Sequence, residues 1–198
     1  MLELEHVAAA YSGSKVLFNV NIKAEIGEIT CLVGRNGVGK STTMKSIMGL
    51  VNTPSGKITL NGKDIIKLPP YARAKAGIGY VPQGRDIFPQ LTVKENILLG
   101  MEANKSIKEI PESIFETFPI LKEFLERRGG DLSGGQQQQL AIARAIVSKP
   151  KVLILDEPTE GIQPSVIQEI GRVITKLKKD MAILMVEQYL EFVLEISD

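Results

Sequence analysis

The sequence has little of several things that would tie it to particular roles. Among its 198 residues there is one cysteine, Cys31, one histidine, His6, and no tryptophan. A single cysteine excludes an intrachain disulfide, and Cys31 lies in the apolar run ITCLV, where burial as a small hydrophobe is expected. Charge of one sign is also lacking: 24 Lys and Arg face 23 Asp and Glu, for a formal net charge of +1. That balance lacks the electrostatic footprint of a nucleic-acid binder, so no nucleic-acid partner is expected. No apolar stretch approaches the roughly 20 residues that span a bilayer. The opening MLELEHV carries neither a basic nor an apolar leader segment, and a soluble cytosolic chain is expected. Linkers, long charge blocks and repeats are absent, and Gln136 to Gln139 is too short for a prion-like tract. A single α/β domain over residues 1–198 is the expectation.

What is present begins with GRNGVGKST, Gly34 to Thr42, which fits G-x-x-x-x-G-K-S/T directly after the apolar run Ile29 to Val33. A buried strand that breaks into glycines and restarts as a helix aims several backbone N–H groups and a helix dipole at one spot. Nucleoside triphosphate phosphates fit such a cradle. Gly34, Arg35, Asn36, Gly37, Gly39, Lys40, Ser41 and Thr42 are therefore the candidate ATP-binding residues. Lys40 would reach the terminal phosphates, and Ser41 would sit on Mg²⁺.

A second constellation is VLILDEP, Val152 to Pro158, an apolar strand ending in two acids. An acid at the carboxyl end of such a strand is placed to organise Mg²⁺, which makes Asp156 the metal-side candidate. Glu157 is then free to polarise water against the γ-phosphate as a general base. A third is LSGGQ, Leu132 to Gln136, opening a helix with Leu140, Ala143 and Val147 on one face and ending before Pro150. Ser133 at the N-cap followed by Gly134 and Gly135 leaves bare N–H groups at a dipole end, a second anion site in one chain. One nucleotide does not need both, so the second site is expected to serve the nucleotide held by another subunit.

The remaining pattern supplies the frame. Leu2 and Leu4 alternate with acids, and Phe18, Val20 and Ile22 alternate with polar residues, as in half-buried strands; Lys57 to Leu60 followed by Asn61-Gly62 adds another strand and a hairpin turn. These predict an N-terminal antiparallel layer. Ile29 to Val33, Val152 to Leu155 and Ala182 to Val186 are continuous apolar runs alternating with helical stretches, which predicts a mainly parallel central sheet. Residues 1–83 and 150–198 would form this core, and about 84–149 a helical insertion with helices at Val93 to Met101 and Ile110 to Arg127.

The three motifs, in this order, resemble those of the ATP-binding cassette (ABC) family over essentially the whole chain. The resemblance implies an α/β P-loop NTPase core with a small helical subdomain carrying the signature motif, and an ATPase that closes head to tail around two ATP molecules. It makes Tyr11 the aromatic that stacks on adenine, and Gln83, after GIGYV, the glutamine that approaches Mg²⁺ and couples to membrane subunits. Ser133, Gly134, Gly135 and Gln136 would cover the partner's nucleotide. Catalysis is assigned to Glu157 and Lys40, with Gln188 standing where the family usually has a histidine that contacts the γ-phosphate. Glutamine donates a hydrogen bond there but carries no proton or positive charge.

The segments VPQGRDIFPQLTVKENI, GGDLSGGQQQQLAIARAI and PTEGIQP resemble ATPase subunits of branched-chain amino-acid type importers, most closely those assigned to urea uptake. The implied partners are a second ATPase subunit, identical or different, integral membrane permease subunits and, indirectly, an extracytoplasmic solute-binding protein. The implied location is the cytoplasmic face of the membrane, held peripherally. Urea or a short amide is the expected cargo, with a branched-chain or neutral amino acid as the alternative and exporter or soluble non-transport ATPases as rivals. The family normally continues past LEISD, so truncation at Asp198 is expected.

Overall fold

A computed structural model describes residues 1–198. The chain opens with β1 (Leu2–Tyr11) and β2 (Ser14–Ala24), joined by Ser12-Gly13, both at positive φ as a tight hairpin turn requires. β3 (Ile29–Val33) runs through the Gly-rich loop into α1 (Lys40–Met48). β4 (Asn52–Leu60) and β5 (Lys63–Asp64) follow, turning at Asn61-Gly62 with φ of 50° and 76°, then α2 (Pro70–Ala76) and β6 (Ile78–Val81). The helical segment holds α3 (Val93–Met101), α4 (Glu112–Thr117), α5 (Pro119–Glu123) and α6 (Gly134–Ile146). The chain ends with β7 (Val152–Asp156), α7 (Pro164–Leu177), β8 (Ala182–Glu187) and α8 (Leu190–Ile196).

The strands make two sheets. One is antiparallel with order β2-β1-β4-β5, and the other is parallel with order β3-β8-β7-β6. The continuous apolar runs belong to the parallel sheet because both of its faces are covered. Leu153, Leu155, Ile183 and Met185 point into a core shared with the helices of the 93–146 segment and with α7 and α8. Their neighbours Val152, Ile154, Ala182, Leu184 and Val186 point the other way, onto α1 and the antiparallel sheet. Each fully buried Leu, Ile or Val contributes roughly 1.5–3 kcal/mol. Both cores therefore meet at β7 and β8, and the carboxyl ends of these two strands are held from both sides. No helix is long and apolar enough to cross a membrane.

Three elements differ from the sequence pattern. Phe18 does not share the inward face of Val20 and Ile22: it is 72% exposed, while Leu17 is buried. The pairing of β1 with β2 slips between Val7↔Val20 and Ala9↔Leu17, and this bulge flips the strand's faces. The helix expected over Ile110 to Arg127 is two short ones, broken at Phe118 with φ −130° because Pro119 starts a new helix. β4 starts earlier than Lys57, at Asn52, since its first residues pair with β1 as far as Ala10↔Asn52.

Candidate functional site

The Gly-rich loop lies between two packed elements. Gly37 and Gly39 adopt φ of 80° and 98°, which residues with a Cβ avoid, and a Cβ on Gly39 would lie 2.6 Å from Leu17 Cδ2. The turn delivers Lys40 at the start of α1, where its Nζ donates to the carbonyls of Gly34 (2.7 Å) and Arg35 (2.9 Å). One residue on, Ser41 Oγ donates to Asp156 Oδ1 at 3.0 Å. Asp156 ends β7 and is 1% exposed, with Oδ2 lacking any partner. Burial pushes its carboxyl above the ordinary range; the Ser41 hydrogen bond opposes this, and neighbouring Glu157 adds to it. An orphaned buried carboxylate oxygen beside a hydroxyl suits a hard divalent cation whose other ligands are phosphate oxygens and water.

Glu157 follows in the left-handed region, φ 51°, with its N–H donating to the Val186 carbonyl at 2.9 Å. A side-chain-bearing residue is held there only by its surroundings, and such strain concentrates at functional positions. Its carboxylate accepts from Gln83 Nε2 at 3.2 Å and from Gln188 Nε2 at 2.7 Å. Gln83 also donates to Glu160 at 3.1 Å, and Gln188 also donates to Asn36 Oδ1. Gln188 is fixed in turn by Glu187, 2% exposed, which accepts from the backbone N–H of Gln188 and from Thr159.

These groups enclose a cleft of about 380 Å³. Asn36, Gly37, Gly39, Lys40, Ser41, Thr42, Gln83, Glu157 and Gln188 line it, with Asp156 beneath Ser41. Several residues named from the sequence do not line this cleft. Tyr11 ends β1 beside the hairpin turn and is 44% exposed outside the cleft, whose one apolar lining residue is Val16. Arg35 points to solvent and offers only its carbonyl, and Gly34 likewise serves through its carbonyl. Ser133 caps α6 in a reciprocal box with Gln136: Ser133 Oγ accepts from the Gln136 N–H, and Gln136 Oε1 from the Ser133 N–H. Ser133 to Gln136 line no part of the cleft; Gly134 backs onto Arg85 and Gly161, and Gly135 onto Val166. Glu160 was not anticipated from sequence, although its place three residues after Glu157 in the turn before α7 was a signal.

A family pattern described as "ABC transporter" matches residues 17–160. The chain belongs to the ABC transporter family. It is 42% identical over 202 residues to the probable branched-chain amino acid transport ATP-binding protein LivF of Archaeoglobus fulgidus, covering 100% of this chain and 86% of that protein. It is also 38% identical to the high-affinity branched-chain amino acid transport ATP-binding protein BraG of Pseudomonas aeruginosa, with the same coverage. Identity to the lipopolysaccharide export system ATP-binding protein LptB of Haemophilus influenzae is 35%, covering 100% of this chain and 84% of that protein. Among solved structures, an ABC transporter cassette in its ADP conformation superimposes with a TM-score of 0.84 at 30% identity, covering 100% of this chain and 85% of the other. A dimeric cassette in a post-hydrolysis state bound to ADP and Pi gives 0.85 at 25%, covering 97% and 90%. The protein is thus an ATP-binding, ATP-hydrolysing cassette, of a family whose cassettes work as dimers with membrane permeases.

Proposed function

We propose that this ABC ATPase energises an importer of small neutral solutes, and that it does so by clamping ATP between its own cleft and the Ser133 end of α6 from a second ATPase subunit. The observation that carries the reading is the separation of two anion-binding features. Lys40 and the Gly-rich loop line the cleft, while the capped end of α6 lies outside it. A nucleotide in the cleft leaves the second feature unused unless another chain presents it.

In this reading Lys40 leaves the loop carbonyls to hold the β- and γ-phosphates, and the loop N–H groups cradle them. Ser41, Asp156 and Gln83 would hold Mg²⁺, which when bound neutralises charge building on the transferred phosphoryl group. Glu157 accepts the proton of the attacking water, and Gln188 and Gln83 fix the direction of its carboxylate. Loss of the γ-phosphate removes the bridge between the two subunits, so the dimer opens. Transmitted to permease subunits at the cytoplasmic face of the membrane, this opening and closing would drive translocation. The identity to two branched-chain amino acid transport proteins favours such an amino acid as cargo. Urea rests on the resemblance of the segments around Gln83, Ser133 and Glu160 alone.

Glu157→Gln tests the mechanism. It is expected to retain ATP binding, to lower turnover about 100-fold to 10,000-fold as loss of a general base does, and to accumulate an ATP-bound dimer in gel filtration. Unimpaired hydrolysis would remove Glu157 from the mechanism. For the cargo, vesicles carrying the chain with the permeases encoded beside it should accumulate labelled leucine or valine; accumulation of urea alone would reassign it, and outward lipid transport would overturn import.

A further inference from the structure

The segment after Gln83 contains the longest left-handed run in the chain. Gly84, Arg85 and Asp86 have φ of 79°, 72° and 51°, three in succession, and two of them carry a Cβ. Side-chain-bearing residues avoid this region, so outside contacts must hold them there. Arg144 on α6 supplies one set: its Nη2 donates to the carbonyls of Asp86 (2.7 Å) and Arg85 (3.4 Å), and its guanidinium lies 5.2 Å from the centre of the Phe88 ring.

Arg85 supplies the other. Its Nη2 donates to the carbonyls of Glu160 (3.1 Å) and Gly161 (3.5 Å), in the turn between β7 and α7. The same nitrogen would lie 3.3 Å from a Cβ on Gly134, the first residue of α6. The guanidinium therefore fills the gap between the turn that follows Glu157 and the N-terminal end of α6. A Cβ at position 134 would press on it and require it to shift by a few tenths of an ångström. On its other side, Glu160 shares the Gln83 amide with Glu157.

We propose that Arg85 is a positioning residue that couples the chain's own nucleotide cleft to the residues Ser133 to Gln136 offered to the partner's nucleotide. This rests on the head-to-tail reading above. The physical link is continuous: Glu157 and Glu160 share Gln83, the Glu160 carbonyl holds Arg85, and Arg85 abuts Gly134. When Gln83 turns toward a bound nucleotide, Glu160 loses its donor and the turn bearing Gly161 is freed to shift. Arg85 then carries that shift to α6. A second polar cleft of about 310 Å³, lined by Arg85, Glu157, Glu160, Gly161 and Gln138, runs along this path and gives the side chain room to move. While Nη2 donates to both carbonyls, Nη1 and Nη2 together face Gly134, and this flat two-nitrogen contact is what the single ammonium of a lysine does not reproduce.

Hydrogen–deuterium exchange, with and without Mg²⁺ and a non-hydrolysable ATP analogue, tests this at a dilution where gel filtration with the analogue shows only monomer, so that no partner nucleotide reaches Ser133. In the wild type the analogue should protect Gly34 to Thr42 and also change exchange across Ser133 to Gln137. In Arg85→Ala the first effect should persist with affinity unchanged, confirming a folded cleft. The second should fall about tenfold, within the range by which single residues on such a link alter coupling. Arg85→Lys should behave like Arg85→Ala, and both should lower kcat with KM for ATP unchanged. An equal response of Ser133 to Gln137 in wild type and Arg85→Ala, or no response in the wild type, would overturn the proposal. Loss of protection at Gly34 to Thr42 in the wild type would instead sink the ATP-site assignment and take the proposal with it.

Discussion

Ser41 and Asp156 lie 115 residues apart, yet the Ser41 hydroxyl donates to Asp156 Oδ1 at 3.0 Å while Oδ2 of the same carboxylate has no partner. The fold therefore keeps a half-satisfied acid beneath the Gly-rich loop, where burial raises its pKa. A carboxyl that binds protons more tightly folded than unfolded lowers stability once the pH exceeds its unfolded value of about 3.9. The loss grows up to the raised folded value and stays constant above it.

Asp156→Asn should consequently have opposite effects on stability and activity. An amide oxygen still accepts from Ser41, and no buried charge remains. The nucleotide-free variant is expected to melt at or above the wild-type temperature at pH 7, with the difference vanishing below about pH 4. Its Mg²⁺-dependent ATPase should fall on the order of a hundredfold or more. Thermal unfolding from pH 4 to 8 and phosphate release at pH 7 measure the two effects; a destabilised but fully active variant would contradict both assignments.

Gln188 uses one amide nitrogen for two acceptors, Glu157 on one wall of the cleft and Asn36 on the other. A neutral imidazole has a single N–H, whereas an imidazolium has two. Gln188→His is therefore expected to lose about tenfold in kcat at pH 8 and to recover toward pH 6, with a midpoint near 6.5. The wild-type profile should lack that limb, because the chain's one histidine, His6, lies on β1. Gln188→Ala should be slow at every pH. A pH–rate series on the three proteins decides, and a Gln188→His profile parallel to the wild type would show that this nitrogen does not orient Glu157.

How far the sequence revealed the site depends on the range of each interaction. The parallel strands, the Asn61-Gly62 turn and the helix over Val93 to Met101 were legible because their signals are local: apolar runs, turn residues, a 3.6-residue period. The bulge that turns Phe18 outward was not, since it arises from pairing with β1 and leaves no mark in the alternation of β2. Pro119 did announce the break between α4 and α5, but helical periodicity obscured it. Within the cleft, the Gly-rich loop and the acid pair stood out as motifs. The contacts of Glu160 and Arg85 did not, because each depends on how the turn before α7 approaches the segment after β6.

Arg73 was equally silent in the sequence. It sits on α2, 2% exposed, and no acid pairs with it. Nη1 donates to the carbonyls of Ser46 and Ile47, Nε to Leu68 and Nη2 to Ile66. Those carbonyls include two in the buried last turn of α1, whose dipole favours a cation. Arg73→Ala should destabilise the chain by roughly 3 kcal/mol through four lost donations and a vacated volume. Arg73→Lys should recover only part, as a point charge lacks the planar fork. Urea titration measures both, and nucleotide affinity of the folded fraction should be unchanged.

Gly100 lets α3 approach α6 closely. A Cβ there would lie 2.0 Å from the Arg144 carbonyl oxygen and 2.7 Å from Val147 Cγ1, distances no side chain tolerates. Gly100→Ala is therefore expected to push α3 off α6, at a cost of about 1–3 kcal/mol despite alanine's better helix propensity. The functional consequence follows from what α6 carries. Arg144 holds the strained turn at Arg85 and Asp86, and Ser133 caps the other end of the same helix. Lys40 begins α1, and its loop packs through Gly39 against Leu17 of β2. The variant should thus bind ATP analogue with near-normal affinity while its ATPase falls at least as steeply as that of Arg85→Ala. A stable, fully active Gly100→Ala would mean that α3 and α6 move apart freely, and would break the link between helix packing and the geometry of Ser133.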